Sequence, residues 1–215
     1  MKQLPHTHSC FVCGESNSHG LKLRFTSDGQ RVHTRFTPRA EHIGFKGVTH
    51  GGILATVLDE IMVWAVAVST RRFAYCAEMT VRFQQPAKSH DELTVSAELV
   101  ANRRNKVFEA KADLRDAGGQ IVATATGKYL PIPAGDVPAM LTELIGDFSM
   151  IEARGCPPCS GGLLPPTIRK TSHPMAVADR RYRTKGVFLS IGYAALAPST
   201  TRQRVVLSGR PVDFS

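Results

Sequence analysis

The chain has 215 residues, enough for one ordinary domain with an appendage, and 42% hydrophobic with 21% charged residues is a globular composition. The net charge of +9 points to nucleic acid only until it is located: residues 1–150 carry 17 Lys+Arg against 15 Asp+Glu (+2), and residues 151–215 carry 10 against 3 (+7). The body is therefore near neutral, which excludes a nucleic-acid-reading body and leaves a basic tail with seven of the thirteen prolines.

No run of about 18 uninterrupted apolar residues occurs, since the best stretch, 53–68, is broken by Asp59 and Glu60; no membrane span is expected. Residues 1–6 lack an apolar signal-peptide core, so a cytoplasmic location with five reduced cysteines is expected.

In chain order, residues 5–20 form a polar lead-in with Cys10, Cys13, His6, His8 and His19. Period-two alternation predicts a strand over 21–26, a hairpin turn at Asp28-Gly29 and a return strand over 31–36. A loop over 37–50 leads to a long helix over 52–69, apolar nearly all round and so expected to be wrapped by other structure. Four strand-like runs follow, over 77–84, 92–101, 106–115 and 120–131, read as a four-strand meander. Helical spacing over 137–148 predicts a capping helix. Two strands, one buried helix and further strands predict an α+β fold with an antiparallel sheet around one helix.

The motif that carries chemistry is His50-Gly51-Gly52, opening the helix, with Asp59 nine residues after the histidine. Amides at a helix start lack intrahelical partners and sit at the positive end of the dipole, so they suit an oxygen gaining negative charge. Asp59 falls about two and a half turns on. Polarising amides with one carboxylate are a minimal kit for hydrolysing an acyl ester or thioester. Glu60 is the rival carboxylate, but adjacent helical residues point about 100° apart, so one carbonyl cannot be served by both.

Three blocks then add up: Cys10-Phe11-Val12-Cys13-Gly14 followed by Gly20-Leu21-Lys22-Leu23-Arg24-Phe25; Gly47-Val48-Thr49-His50-Gly51-Gly52 with Asp59-Glu60; and Ala77-Glu78-Met79-Thr80-Val81-Arg82-Phe83 with Pro86. On these, residues 8–132 resemble the PaaI-like acyl-CoA thioesterases of the hotdog superfamily. The resemblance implies an α+β hotdog domain over residues 1–150, an antiparallel sheet wrapped around one long central helix; residues 151–215, by their charge and proline content, are expected to be a basic, poorly ordered tail. It implies hydrolysis of an acyl-CoA to the free acid and CoA. Asp59 would be nucleophile or general base across a dimer interface, the Gly51 amide the oxyanion donor, Gly52 its neighbour, and His50 a residue that orients the turn or touches substrate. Cys76, Arg82, Glu60 and Gly44 are the expected substrate-contacting positions.

The chain departs from the pattern of many relatives in having Gly44 where they carry Asn, and Cys76 where Ser or Thr is usual. Those two changes keep alive an alternative, a non-catalytic acyl-CoA or small-lipid binding module. A hotdog hydratase would need a histidine shortly after the aspartate, and none follows Asp59 before His90. The reaction calls for no metal and no cofactor. The partners expected are the acyl-CoA and a second copy of the chain, as a homodimer or homotetramer, with an acyl tunnel between two helices lined by Val57, Ile61 and Met62. Arg71, Arg72, Arg82, Lys88, Arg103 and Arg104 are candidates for the CoA phosphates. Cys10 and Cys13 with neighbouring histidines form half of a zinc-ligand set, against the alternative of reduced thiols packed inward; Cys156 and Cys159 lie too far along the chain for a shared ribbon.

Overall fold

The computed structural model describes residues 1–151, so the expected basic tail lies outside the described residues. The elements are β1 (Lys2–Gln3), β2 (His6–Thr7), β3 (Thr26–Ser27), β4 (Arg31–Phe36), a 3-10 turn (Ala40–His42), β5 (Ile43–Phe45), β6 (Val48–Thr49), α1 (Gly51–Thr70), β7 (Ala74–Phe83), β8 (Leu93–Arg103), β9 (Val107–Arg115), β10 (Ile121–Pro131), α2 (Val137–Leu141) and β11 (Leu144–Ile145). Seven strands form one antiparallel sheet in the order β1-β3-β4-β8-β9-β10-β7, with α1 packed across it. This is the hotdog arrangement.

The sheet can hold a helix this closely because of what its strands point inward. Register places Ala97, Ala112 and Ala125 side by side across β8, β9 and β10, and Ala110 beside Gly127 in the next row. The three alanines are buried. Small residues there leave room for α1, and Leu93, Val95, Leu114 and Phe108 are buried in the same core. On the helix, Val57, Leu58, Ile61, Met62 and Ala65 are fully buried, each large one stabilising the fold by about 1.5–3 kcal/mol. By length and composition alone α1 could cross a bilayer; here it is the core helix, and more than half of its most apolar window is buried.

The lead-in covers the helix on its other side. Leu4, Val12, Cys13, Leu21, Leu23 and Phe25 are buried in the same core, and the Phe25 ring lies 6.2 Å from that of Trp64. Trp64 also meets Phe73 edge-on at 6.2 Å. The strand expected over 21–26 is therefore corrected. Its alternation puts Leu21, Leu23 and Phe25 inward, but Lys22 has φ 60 and the amides of Leu21 and Leu23 bond Phe11 and Val12, so only Thr26–Ser27 joins the sheet. Two further expectations are corrected. The meander contains three strands, β8-β9-β10, and β7 lies beyond β10 at the sheet edge, because the turn around Pro86 carries the chain away from its predecessor. The helix expected over 137–148 ends at Leu141; Leu144–Ile145 pairs with His6–Thr7, and Gly146 at φ 113 is not helical.

The alanine row predicts a specific sensitivity. Ala112→Leu should overfill the space beneath α1 and cost about 1–3 kcal/mol in urea unfolding, with native secondary structure retained. A change below about 0.5 kcal/mol would mean that the helix does not press on this row.

Candidate functional site

The turn before α1 is built by backbone bonds that aim its amides. His50 N–H bonds the His42 carbonyl at 2.8 Å and Thr49 N–H bonds Ala87 at 2.7 Å, fixing the entry to the helix. His50 is the N-cap: its Nδ1 accepts from Gly52 N–H at 2.9 Å. That bond uses the Gly52 amide and makes His50 a turn-orienting group. Gly51 N–H has no partner among the described residues. Of the two glycine amides, Gly51 is thus the one free at the positive end of the helix.

Gly51 lines a cleft of about 320 Å³ with Val48, Thr49, Leu54, Phe83 and Pro86 among its other walls. A Cβ on Gly51 would come within 3.2 Å of the Phe83 ring. Thr49 is buried, and its Oγ1 has no hydrogen-bond partner among the described residues. An unpaired buried hydroxyl is costly, so this atom is suited to a ligand's polar group. Sequence reasoning passed over Thr49; its place next to the His-Gly-Gly turn was the available signal. Gly44 packs against His50, where a Cβ would meet the His50 Cα at 3.0 Å, so the position touches the turn through bare backbone.

Asp59 is partly buried, and its Oδ1 accepts from the Tyr129 hydroxyl at 3.0 Å. Tyr129 is fully buried on β10, and Gly127 makes room for its ring, since a Cβ there would stand 2.7 Å from it. A buried tyrosine needs a partner for its hydroxyl, a signal the sequence carried in the last strand. Cys76, the cross-strand neighbour of Tyr129 on β7, places its thiol beside Asp59. Burial and then the Asp59 charge push that thiol up to about 11. It is a neutral group beside a carboxylate, not a nucleophile.

Glu60 is turned elsewhere. Its Oε1 lies 3.3 Å from Cys13 Sγ and 3.8 Å from Cys10 Sγ, and accepts from Trp64 Nε1 at 3.1 Å. Burial, then the charge of Cys10, raises its carboxyl to about 7. The structure thus brings Asp59 together with Cys76 and Tyr129, and sets Glu60 apart from them. The histidines expected near the cysteines do not join them: His6 and His8 face Glu15, at 3.1 and 3.5 Å.

Of the basic candidates, Arg82 is exposed next to Phe83, and Lys88 pairs with Val48 beside the cleft. Arg71 and Arg72 follow the far end of the 20-residue helix, about 30 Å away. Arg103 is engaged with Glu109 at 2.6 Å, and Arg104 sits in the β8–β9 turn. The expected tunnel lining is corrected. Val57, Ile61 and Met62 are fully buried within their own protomer. The partly exposed stripe of α1 is instead Gly52, Ala55, Thr56, Asp59 and Val63, at the helical spacing of one face.

Residues 46–123, which run from the β5–β6 turn through α1 to the start of β10, match the model of the thioesterase superfamily. The likeness to that superfamily is carried by this segment, about a third of the chain. A solved thioesterase superfamily protein is 25% identical, with TM-score 0.53 over 58% of this chain and 60% of that one, so the likeness spans less than two thirds of that protein. Zebra fish thioesterase superfamily member 2 is 21% identical with TM-score 0.50, over 55% of this chain and 89% of its own. The E. coli PaaI protein is 22% identical with TM-score 0.49, over 53% and 81%. No curated protein compared with the chain matches it. The first two likenesses agree with the hotdog architecture described above.

The cluster at Asp59 makes a prediction about Cys76. At pH 8 a thiol near 11 is about 0.1% thiolate, so alkylation of Cys76 by iodoacetamide, read on its own peptide, should be slow and still rising at pH 10. Asp59→Asn removes the negative charge that disfavours the thiolate. The midpoint should fall and the rate at pH 8 should rise several-fold. An unchanged profile would show that Asp59 does not face the sulfur.

Proposed function

We propose that the protein hydrolyses an acyl-CoA thioester to the free acid and CoA. The observation that carries this reading is the unspent Gly51 amide at the positive end of α1, open to a cleft. The thioester carbonyl oxygen lies against that amide, which stabilises the negative charge developed when the carbonyl carbon is attacked. Asp59 either attacks the carbon itself or takes a proton from the attacking water. The carbon–sulfur bond then breaks and CoA leaves as the thiol. Thr49 supplies a second polar contact, and Arg82 with Lys88 lie on the side from which CoA phosphates approach.

One protomer does not hold both halves of this site. Asp59 is eight residues beyond Gly51, about 12 Å along the helix, too far for both to meet one carbonyl. The composite site needs a second copy. Strand β7 offers the surface for it: ten residues long, paired only with β10 among the described residues, and bearing exposed Tyr75 (60%) and Phe83 (51%). Pairing of β7 with its counterpart in a partner brings a second chain beside the Asp59 stripe.

Thiol release from acetyl-, medium-chain and aryl-CoA substrates tests the reaction. Asp59→Asn should lower kcat/KM by about a hundredfold or more with folding intact, and Gly51→Val should depress turnover comparably. Binding of every thioester without turnover would favour the non-catalytic module. Co-expression of the two variants tests the composite site. Half of a random mixture is heterodimer with one intact site of two, so about a quarter of wild-type activity should return. Activity at background would place both groups in one protomer.

A further inference from the structure

The two cysteines of the lead-in and the second carboxylate of α1 converge at a point that thioester hydrolysis does not use. Cys10 Sγ, Cys13 Sγ and a Glu60 carboxylate oxygen all lie within 4.8 Å of one another. Cys13 is fully buried, and Cys10 and Glu60 are partly so.

The spacing suits a tetrahedral thiophilic cation. Ligand distances of about 2.3 Å to sulfur and about 2.0–2.2 Å to oxygen give a tetrahedral sulfur–oxygen edge of about 3.6 Å. The observed edges, 3.3 and 3.8 Å, fall on either side of it. The loop is shaped to present its sulfurs. Val12 N–H points at Cys10 Sγ at 3.2 Å, and Gly14 N–H closes the turn on the Cys10 carbonyl at 2.9 Å. Only glycine fits at position 14, since a Cβ there would stand 2.3 Å from that carbonyl oxygen. Outside the loop, Arg24 bonds the Cys13 carbonyl at 2.9 Å and Lys22 the Gly14 carbonyl at 3.1 Å. Trp64 Nε1 fixes the carboxylate oxygen from behind, as an outer-shell hydrogen bond does for a metal ligand. Glu60 forms no ion pair among the described residues. A carboxylate set inward between two sulfurs, with an indole N–H as its other partner, is a group that a cation would complete.

We propose that Cys10, Cys13 and Glu60 bind one zinc ion, or a similarly thiophilic divalent ion, as a structural site distinct from Asp59. Two thiolates favour zinc over magnesium or calcium. Both sulfurs bind as thiolates and Glu60 as a carboxylate, so any protons still on these groups are released to solvent, and the three protein donors leave one tetrahedral position for water. The ion ties the lead-in to the middle of α1, one residue from Asp59. The signal in the sequence was the Cys-x-x-Cys-Gly turn; the third ligand was legible only once α1 was seen to face it.

The test uses the full chain and a Cys156→Ser/Cys159→Ser variant, which removes the other cysteine pair. Both are purified under reducing conditions without chelator, and metal is counted by mass spectrometry. Each should retain about one zinc per chain, and cobalt(II) substitution should give a thiolate charge-transfer band of two-sulfur intensity. Cys10→Ser/Cys13→Ser should lose the metal, and Glu60→Gln should weaken cobalt binding at least about tenfold. If the double cysteine variant fails to fold, the cobalt spectrum of the Cys156→Ser/Cys159→Ser chain and the Glu60→Gln affinity decide. Reduced, folded protein that takes up neither zinc nor cobalt overturns the proposal. So does metal content that survives loss of Cys10 and Cys13, or affinity unchanged in Glu60→Gln.

Discussion

Everything in this domain follows from a helix that is apolar on nearly all sides. α1 cannot lie against one surface and leave the rest to water, because buried Leu58 and Met62 lie on one side of the helix and buried Trp64, more than 100° round from them, on another. The sheet covers one side, with a row of buried alanines across β8, β9 and β10 that leaves room for a helix. The lead-in covers the second, through Leu21, Leu23 and Phe25. What remains is a stripe from Gly52 to Val63, half-covered, beside an edge strand. That incomplete covering marks where chemistry and assembly can take place.

The adjacent carboxylates show how a helix distributes function. A rotation of about 100° per residue sends Asp59 toward β7 and β10, and Glu60 toward the lead-in. Each then meets partners that suit a different task. Asp59 keeps one oxygen on the Tyr129 hydroxyl and lies on the exposed stripe, so the carboxylate is oriented while remaining reachable. Glu60 is held by an indole N–H between two sulfurs, out of reach of a carbonyl at the stripe. A helical pattern alone cannot rank the two; the covering of each side does.

The sequence made the central elements legible because their signals are local. The helix began within a residue of expectation, and β4, β8, β9 and β10 within one or two, since alternation and turn residues act over a few positions. The failures arose where long-range pairing decides. Residues 21–26 alternate as a strand does, yet their amides bond the turn at Phe11 and Val12. Residues 137–148 have helical spacing, yet Leu144 and Ile145 pair with a strand near the N-terminus. The site divided in the same way. Gly51, His50 and Asp59 stood out by spacing, whereas Thr49, Tyr129 and the turn of Glu60 toward the cysteines depend on which element lies opposite. Val57, Ile61 and Met62 misled because an all-round apolar helix gives no sequence clue to which face the sheet takes.

The free amide and the edge strand raise one physical question: why the fold tolerates both. An unpaired N–H at a helix start, an orphan buried hydroxyl on Thr49, and exposed aromatic rings on β7 each cost free energy in an isolated chain. Their positions share an answer. Phe83 belongs to β7 and also walls the cleft at Gly51, so whatever covers the strand edge reshapes the cleft. On the proposed reading, pairing of two β7 edges buries the rings, brings a second Asp59 to the cleft and excludes water from the carbonyl. Exclusion of water strengthens the amide's hold on the developing charge, because the surrounding dielectric falls. The features that destabilise one protomer are then the ones that make the assembled pair a catalyst.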